Sequence, residues 1–325
     1  MKVAVTGASG HIGNCLVREL IRKGAQVKVL VHSFRNDLDQ MDVELIQGNL
    51  LDPESLIPLC EGVDVVFHLA AQIALDNHSA KMVYETNITG TKNMIRAAIS
   101  GGAKKFIHFS SIDAFRIGSS GQLLDENRQL IEANHSIYAF SKAESEREVM
   151  KAVKEGLNAV ILSPTAVIGP FDYRGSILGN AILKIYQEKI PFLVSGGYNW
   201  VDVRDVVAAS IQAIESGRKG EKYILSGTFC NLKELSFLIS KISGGKVPGI
   251  VPVSLARLAC PFFQAYSAMT KTDPLYTKQS LDLLVSSPEN ISSEKARKEL
   301  GYESRLLEQT LSDTFNWYIE NKSLS

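Results

Sequence analysis

The sequence predicts an α/β fold: a doubly wound parallel sheet with helices on both faces, joined to a smaller C-terminal α/β lobe. Two observations carry this. The chain opens as strand, glycine turn and helix between Lys2 and Gly24. Short apolar runs rich in β-branched residues then alternate with stretches of helical spacing. One of them, Val63–Leu69, is almost unbroken, as a strand covered on both faces should be.

Lys2–Thr6 is the first strand, and Gly7-Ala8-Ser9-Gly10-His11-Ile12-Gly13 follows at once. Cys15, Leu16, Leu20 and Ile21 then fall at helical spacing, and Gly24 stops the helix. Gly7 permits a tight turn, Gly10 lets the backbone approach a pyrophosphate, and Gly13 lets the helix pack closely on the strand. The free N–H groups and positive dipole end of that helix would face the phosphates. The bland alternative is an ordinary strand-to-helix turn. Val27–Val31 is the second strand. A dinucleotide fold often ends this strand in Asp or Glu, which holds the adenosine ribose hydroxyls. Here it ends in His32-Ser33-Phe34-Arg35, and the first carboxylate is Asp37. A cation in place of an acid suits a 2′-phosphate and so favours NADP, with NAD as the alternative. The bland reading makes Arg35 a solvated loop residue.

Val43–Gln47 is the third strand, and Asp52 with Pro53 reads as the cap and first residue of a helix. The fourth strand ends in His68-Leu69-Ala70-Ala71, whose small residues leave room for a cofactor at the strand's C-terminal end. His68 reads as structural. A helix follows over about 81–100, with Asn87 and Gly90 inside it. The fifth strand, Phe106–Ser111, ends in a serine pair. The polar loop after it, through Gly118, Gly121 and Asp125, is long enough for a lid or a substrate-facing segment. Tyr138 and Lys142 then stand one helical turn apart on one face. An ammonium beside a phenol lowers the phenol pKa, and a nearby Ser hydroxyl can hydrogen-bond a substrate oxygen. Taken alone, the Tyr-Lys spacing reads as a surface pair; placed after a serine-ended fifth strand in a dinucleotide fold, it becomes the best catalytic candidate.

Composition narrows the function classes. The 325 residues are enough for a large core and two lobes, with 45% apolar and 22% charged residues. A formal net charge of +0 provides no field for nucleic acid. Cys15, Cys60, Cys230 and Cys260 are scattered, with no metal-ligand or disulfide spacing. No apolar run reaches the length of a membrane span. A cytoplasmic protein without a leader, taking a small-molecule substrate, is the expectation.

Jointly, these pieces resemble the extended short-chain dehydrogenases/reductases of the NAD-dependent epimerase/dehydratase superfamily. The matching segments are Thr6–Gly13, His68–Ala71, Thr86–Thr91 with Asn87, Ser110-Ser111, Tyr138 with Lys142, and Leu162–Pro170. The resemblance implies a Rossmann domain over 1–165, with strand and helix returns from about 198–226, and a substrate lobe mainly over 166–325. It implies a nicotinamide cofactor and a catalytic set of Ser111, Tyr138 and Lys142, with Lys142 also on the nicotinamide ribose. Gly7, Ser9, Gly10, His11 and Ile12 would meet the pyrophosphate. His32 and Arg35 would lie beyond the second strand, and Asn49 and Leu50 by the adenine. Leu69, Ala70, Ala71, Asn87 and Pro164 complete the expected cofactor contacts. Asn49 departs from the family's usual Asp, although an amide can still bond to adenine. A homodimer is the family's expectation.

After Pro164 the segment Gly196–Val206 resembles the dihydroflavonol reductase-like branch. Tyr198 stands where nucleotide-sugar enzymes tend to carry an arginine. Phe171, Tyr173, Trp200 and the Phe262-Phe263 pair offer apolar surface. Asp202 and Asp205 read as caps of the following helix, and Asn231 as the cap of a helix ending at Ser243. The apolar stretch Val253–Thr270 covers a greasy substrate, rests on a membrane surface, or packs against the small lobe or a partner subunit. The expected function is an NAD(P)-dependent carbonyl reductase or alcohol dehydrogenase acting on a hydrophobic ketone, aldehyde or alcohol. Tyr138 would donate the proton, Ser111 would hydrogen-bond the oxygen, and Lys142 would lower the phenol pKa. The rivals are a nucleotide-sugar epimerase/dehydratase with tightly held NAD, and a non-catalytic dinucleotide-binding sensor.

Overall fold

The computed structural model describes residues 1–32, 37–73, 80–118, 121–132, 136–258, 260 and 278–321. Its strands, in chain order, are β1 (Lys2–Thr6), β2 (Gln26–Val31), β3 (Glu44–Gln47), β4 (Val65–His68), β5 (Lys105–Phe109), β6 (Ala159–Pro164), β7 (Ala166–Ile168), β8 (Phe192–Val194), β9 (Gly197–Asp202), β10 (Lys222–Leu225), β11 (Thr228–Asn231) and β12 (Gly249–Val251). Seven of them form one sheet in the order β10-β6-β5-β4-β1-β2-β3, every neighbouring pair parallel. The chain reverses its direction of travel across the sheet beside β1, which opens a crevice at the C-terminal strand ends. Thr6 lies level with His68, and His68 with His108, so those ends share one edge.

Alternation along each strand sends side chains to two cores. Val3 and Val5 pack with Leu16 and Leu20 of the helix His11–Arg22, and with Val206 and Val207 of the helix Val203–Glu215. Ala4 faces the other way, among Met94 and Ala98 of the helix Gly90–Ser100 and Val149 of the helix Ile137–Lys154. Burial at about 25 cal/mol per Å² on both faces explains why these strands read as continuous apolar runs. The second lobe contains the sheet β11-β9-β7 and the pair β12-β8. Its core joins Ile182, Leu193, Trp200, Leu235 and Phe315. Asn231 caps the helix Leu232–Ser243 in a reciprocal capping box with Glu234, and left-handed Gly244 ends it. Asp202 caps Val203–Glu215 by accepting from the Arg204 N–H.

The expected helix over 81–100 is broken in its middle. Ala80–Tyr84 is α-helical, Glu85–Thr89 makes a π turn, and the α-helix resumes at Gly90. Asp52 caps nothing: a short 3-10 turn, Glu54–Leu56, starts from Pro53 with no side-chain cap. The polar loop after β5 is pinned to its surroundings. Phe115 bridges Leu130, Leu124 bridges Ile291, and the Glu126 carboxylate accepts from the Ile224 N–H at 2.9 Å. Trp200 is lobe core, 3% exposed, and its Nε1 donates to the Cys230 carbonyl. Phe262 and Phe263, with most of the 253–270 stretch, lie outside the described residues. Among the described residues no helix is long and apolar enough to cross a membrane, and no His, Cys, Asp and Glu cluster could hold a metal. The four cysteines are free and buried.

Candidate active site

The glycine turn has the form its sequence demands. Gly7 takes φ 76°, and a Cβ there would sit 2.7 Å from the Ala70 nitrogen. Gly13 presses so closely on the Gly7 carbonyl that a Cβ would collide with it. Gly10 is the N-cap of the helix His11–Arg22 and supplies no side-chain oxygen to it. The first-turn N–H groups therefore point at the crevice without an internal cap, and a dinucleotide's phosphates fit that cradle. The half-buried Ser9 and Ile12 lie in the same turn. The His11 ring is directed elsewhere: Nε2 meets the Pro170 carbonyl at 2.9 Å, which leaves His11 its backbone for a phosphate.

Beside this turn a buried hydrogen-bond chain fixes the end of β4. The Ala70 N–H donates to Thr6 Oγ1, and Thr6 Oγ1 lies 2.8 Å from His68 Nδ1. His68 Nε2 lies 3.0 Å from Thr91 Oγ1, which itself donates to the Asn87 carbonyl. This pattern is satisfied throughout by neutral His68 with its proton on Nε2. Burial, with the Lys142 charge behind it, pushes the His68 pKa down to about 3, consistent with a structural role. The Asn87 amide is likewise taken up by protein. It accepts from the Gln72 N–H at 2.7 Å and donates to the Gln72 carbonyl and to Ser141 Oγ. Asn87 thus braces the segment after β4 against the helix that carries Tyr138.

Ser111 follows β5 and caps a short turn, Ile112–Ala114, by accepting from the Asp113 N–H. Ser136 caps the helix Ile137–Lys154 and sets Tyr138 in its first turn. The Ser111 hydroxyl donates to Asp113 Oδ2 at 3.3 Å, and the Tyr138 phenol lies close enough to both side chains to feel them. The Lys142 ammonium donates to the carbonyl of Phe109, the last residue of β5, at 2.5 Å. Burial lowers the Lys142 pKa to about 8, against an opposing pull from Glu146. Ser111, Tyr138 and Lys142 therefore converge at the C-terminal end of β5.

The phenol differs from the sequence-based expectation. Burial first, then the Asp113 carboxylate, holds the Tyr138 pKa above its usual value, and the nearby Ser111 hydroxyl offsets only part of this. The expected lowering by Lys142 fails because its ammonium is directed to Phe109. Asp113, itself shifted upward by burial, is a site neighbour that sequence reasoning missed. Its signal was only its place two residues after Ser111.

Beyond β3, the Leu50 carbonyl accepts from Asn93 Nδ2 at 2.9 Å, and Gly90 packs against the Leu50 side chain. Asn49 Oδ1 accepts from the Leu51 N–H at 3.0 Å, so its side chain first shapes its own turn. His32 is exposed, and its carbonyl accepts from Gln47 Nε2. Leu69, Ala70 and Ala71 follow β4 half-buried, while buried Pro164 ends β6. Arg35 lies outside the described residues. Tyr198 packs edge-on against Trp200, and Asn199 Oδ1 accepts from Thr165 and from the Gly227 N–H.

The model of the NAD dependent epimerase/dehydratase family matches residues 3–226. "Sterol demethylase protein B" of Methylococcus capsulatus is 29% identical over 98% of this chain and 99% of its own length. A Synechocystis protein named "Putative dihydroflavonol 4-reductase" is 30% identical over 97% of this chain and 93% of its own. The crystal structure of gox2253 superposes with a TM-score of 0.86 at 31% identity, covering 100% of this chain and 99% of that one. Solved nucleotide-sugar epimerases and dehydratases at 22–23% identity share the fold. The chain belongs to the NAD-dependent epimerase/dehydratase family of extended short-chain dehydrogenases/reductases, and it is an enzyme of that oxidoreductase type.

Proposed function

We propose that the protein is an NADP-preferring carbonyl reductase or alcohol dehydrogenase of the dihydroflavonol reductase-like kind, acting on a hydrophobic ketone, aldehyde or alcohol. The observation that carries this is the convergence of Ser111, Tyr138 and Lys142 at the end of β5, beside an uncapped helix N-terminus. The cofactor supplies hydride at the carbonyl carbon. Tyr138 donates the proton to the oxygen. Its raised pKa keeps the phenol protonated through the neutral range, which is the donating form. Ser111 donates a hydrogen bond to the developing alkoxide. Lys142 is proposed to hold the nicotinamide ribose, with Gly7, Ser9, Gly10, His11 and Ile12 around the pyrophosphate and Leu50 by the adenine.

The substrate class rests on chemistry at the second lobe. A diphosphate leaving water needs charge-assisted partners, preferably a bidentate arginine. Tyr198, a ring packed on Trp200, occupies that place. The names of the two relatives, a sterol demethylase protein and a dihydroflavonol reductase, also point to apolar ring compounds. Tyr138→Phe removes the proton donor and keeps the ring. It should reduce kcat about 10²-fold or more while leaving cofactor affinity nearly unchanged. Near-wild-type turnover would remove Tyr138 from the chemistry.

A further inference from the structure

We propose that Arg18 and Asn14 set the cofactor preference indirectly, by holding the Asp37 carboxylate against the first helix and away from the adenosine ribose. The inference rests on the NADP reading above and deepens it. Asp37 is the first carboxylate after β2. A free carboxylate in that region accepts from the two ribose hydroxyls and repels a 2′-phosphate. Here both of its oxygens are committed. Oδ1 accepts from Asn14 Nδ2 at 2.7 Å, and Oδ2 pairs with the Arg18 guanidinium. Arg18 Nε also donates to Asn14 Oδ1 at 3.0 Å, so the three side chains close a ring.

The position of this ring matters as much as its charge. With a rise of about 1.5 Å per residue, Asn14 stands about 5 Å and Arg18 about 10 Å along the helix from its phosphate-facing end. Asp37 is thus held beside the helix, with its side chain only 15% exposed. Arg18 is fixed from the other side by the second lobe. Its guanidinium donates to the Tyr173 hydroxyl at 3.0 Å and stands 5.3 Å and 5.2 Å from the ring centres of Phe171 and Tyr173. Phe171 takes φ 69°, a left-handed conformation costly for a bulky side chain, so surrounding contacts must hold it there. Both rings lean on Trp317. The cation is therefore positioned by aromatic packing and by Asp37. An ion pair at this exposure adds little to stability, so its consequence lies in where it leaves the carboxylate charge.

The test is direct binding to cofactor-free protein by calorimetry, using NADPH, NADH, adenosine 2′,5′-bisphosphate and AMP. Arg18→Met keeps an apolar stem against Phe171 and Tyr173 but removes the charge that holds Asp37. Wild type should bind NADPH and the bisphosphate more tightly than NADH and AMP. Arg18→Met should reduce both preferences about tenfold, chiefly through weaker binding of the 2′-phosphorylated ligands. Adding Asp37→Asn to Arg18→Met should restore them. An unchanged preference in Arg18→Met overturns the proposal. So does a double variant as impaired as the single one, because Arg18 would then contact the phosphate itself or act through the fold. A wild type that prefers NADH defeats the underlying NADP reading, whatever the variants do. Thermal unfolding of each variant separates loss of fold from loss of preference.

Discussion

Lys142 and the paired histidines below it make the residue-scale chemistry sensitive to pH. The Lys142 ammonium, with its pKa lowered to about 8 by burial, loses its proton as pH rises through that value. If the ammonium holds the ribose, kcat/KM should fall with a break near pH 8, and a flat profile to pH 10 would contradict the assignment. His68, depressed to about 3, and His108, also pushed well down by burial, are neutral in the folded protein. Above about pH 6.5 both folded and unfolded states carry neutral imidazoles, so nothing is lost there. Below it the unfolded chain takes up protons that the folded state refuses, at about 1.4 kcal/mol per pH unit for each ring. Urea unfolding at pH 7.0 and 5.5 should therefore show a lower midpoint at 5.5, and equal midpoints would contradict buried neutral rings.

The junction of β1 with the first helix makes the element-scale argument. Gly13 touches the Gly7 carbonyl, so Gly13→Ala must push the helix off the strand. That shift misaims the first-turn N–H groups, and we expect dinucleotide binding to weaken at least tenfold by calorimetry. Unchanged binding would mean the cradle tolerates a displaced helix. This junction was legible in the sequence because backbone geometry and the absence of a Cβ are local properties. The Asn231 cap was legible for the same reason, and Asn231→Ala should cost about 1 kcal/mol in chemical denaturation. The π turn at Glu85–Thr89 was not legible. It is set where the Asn87 amide bonds to Gln72 and Ser141, partners that only the folded chain supplies. The direction of the Tyr138 shift was missed in the same way. Helical spacing put Lys142 on the phenol's face, but it carried no information on the Phe109 carbonyl or the Asp113 carboxylate.

Across the whole molecule, the two lobes are tied together beside the cofactor crevice. His11 reaches Pro170, Arg18 reaches Tyr173, and Arg305 pairs with Asp202 and Asp205 at the start of the helix Val203–Glu215. The crevice therefore lies between the uncapped N-terminus of the first helix and the second lobe, where Tyr198 packs on Trp200. An apolar carbonyl compound requires only shape and buried area there, at about 25 cal/mol per Å². The most direct test follows the absorbance of reduced cofactor while the protein turns over aromatic and alicyclic ketones, with UDP- and dTDP-sugars run in parallel. The reductase reading predicts stoichiometric consumption of NADPH, matched by alcohol formed, with at least one apolar ketone. Conversion of a nucleotide sugar with no net change in cofactor, and no activity on any ketone, would contradict it.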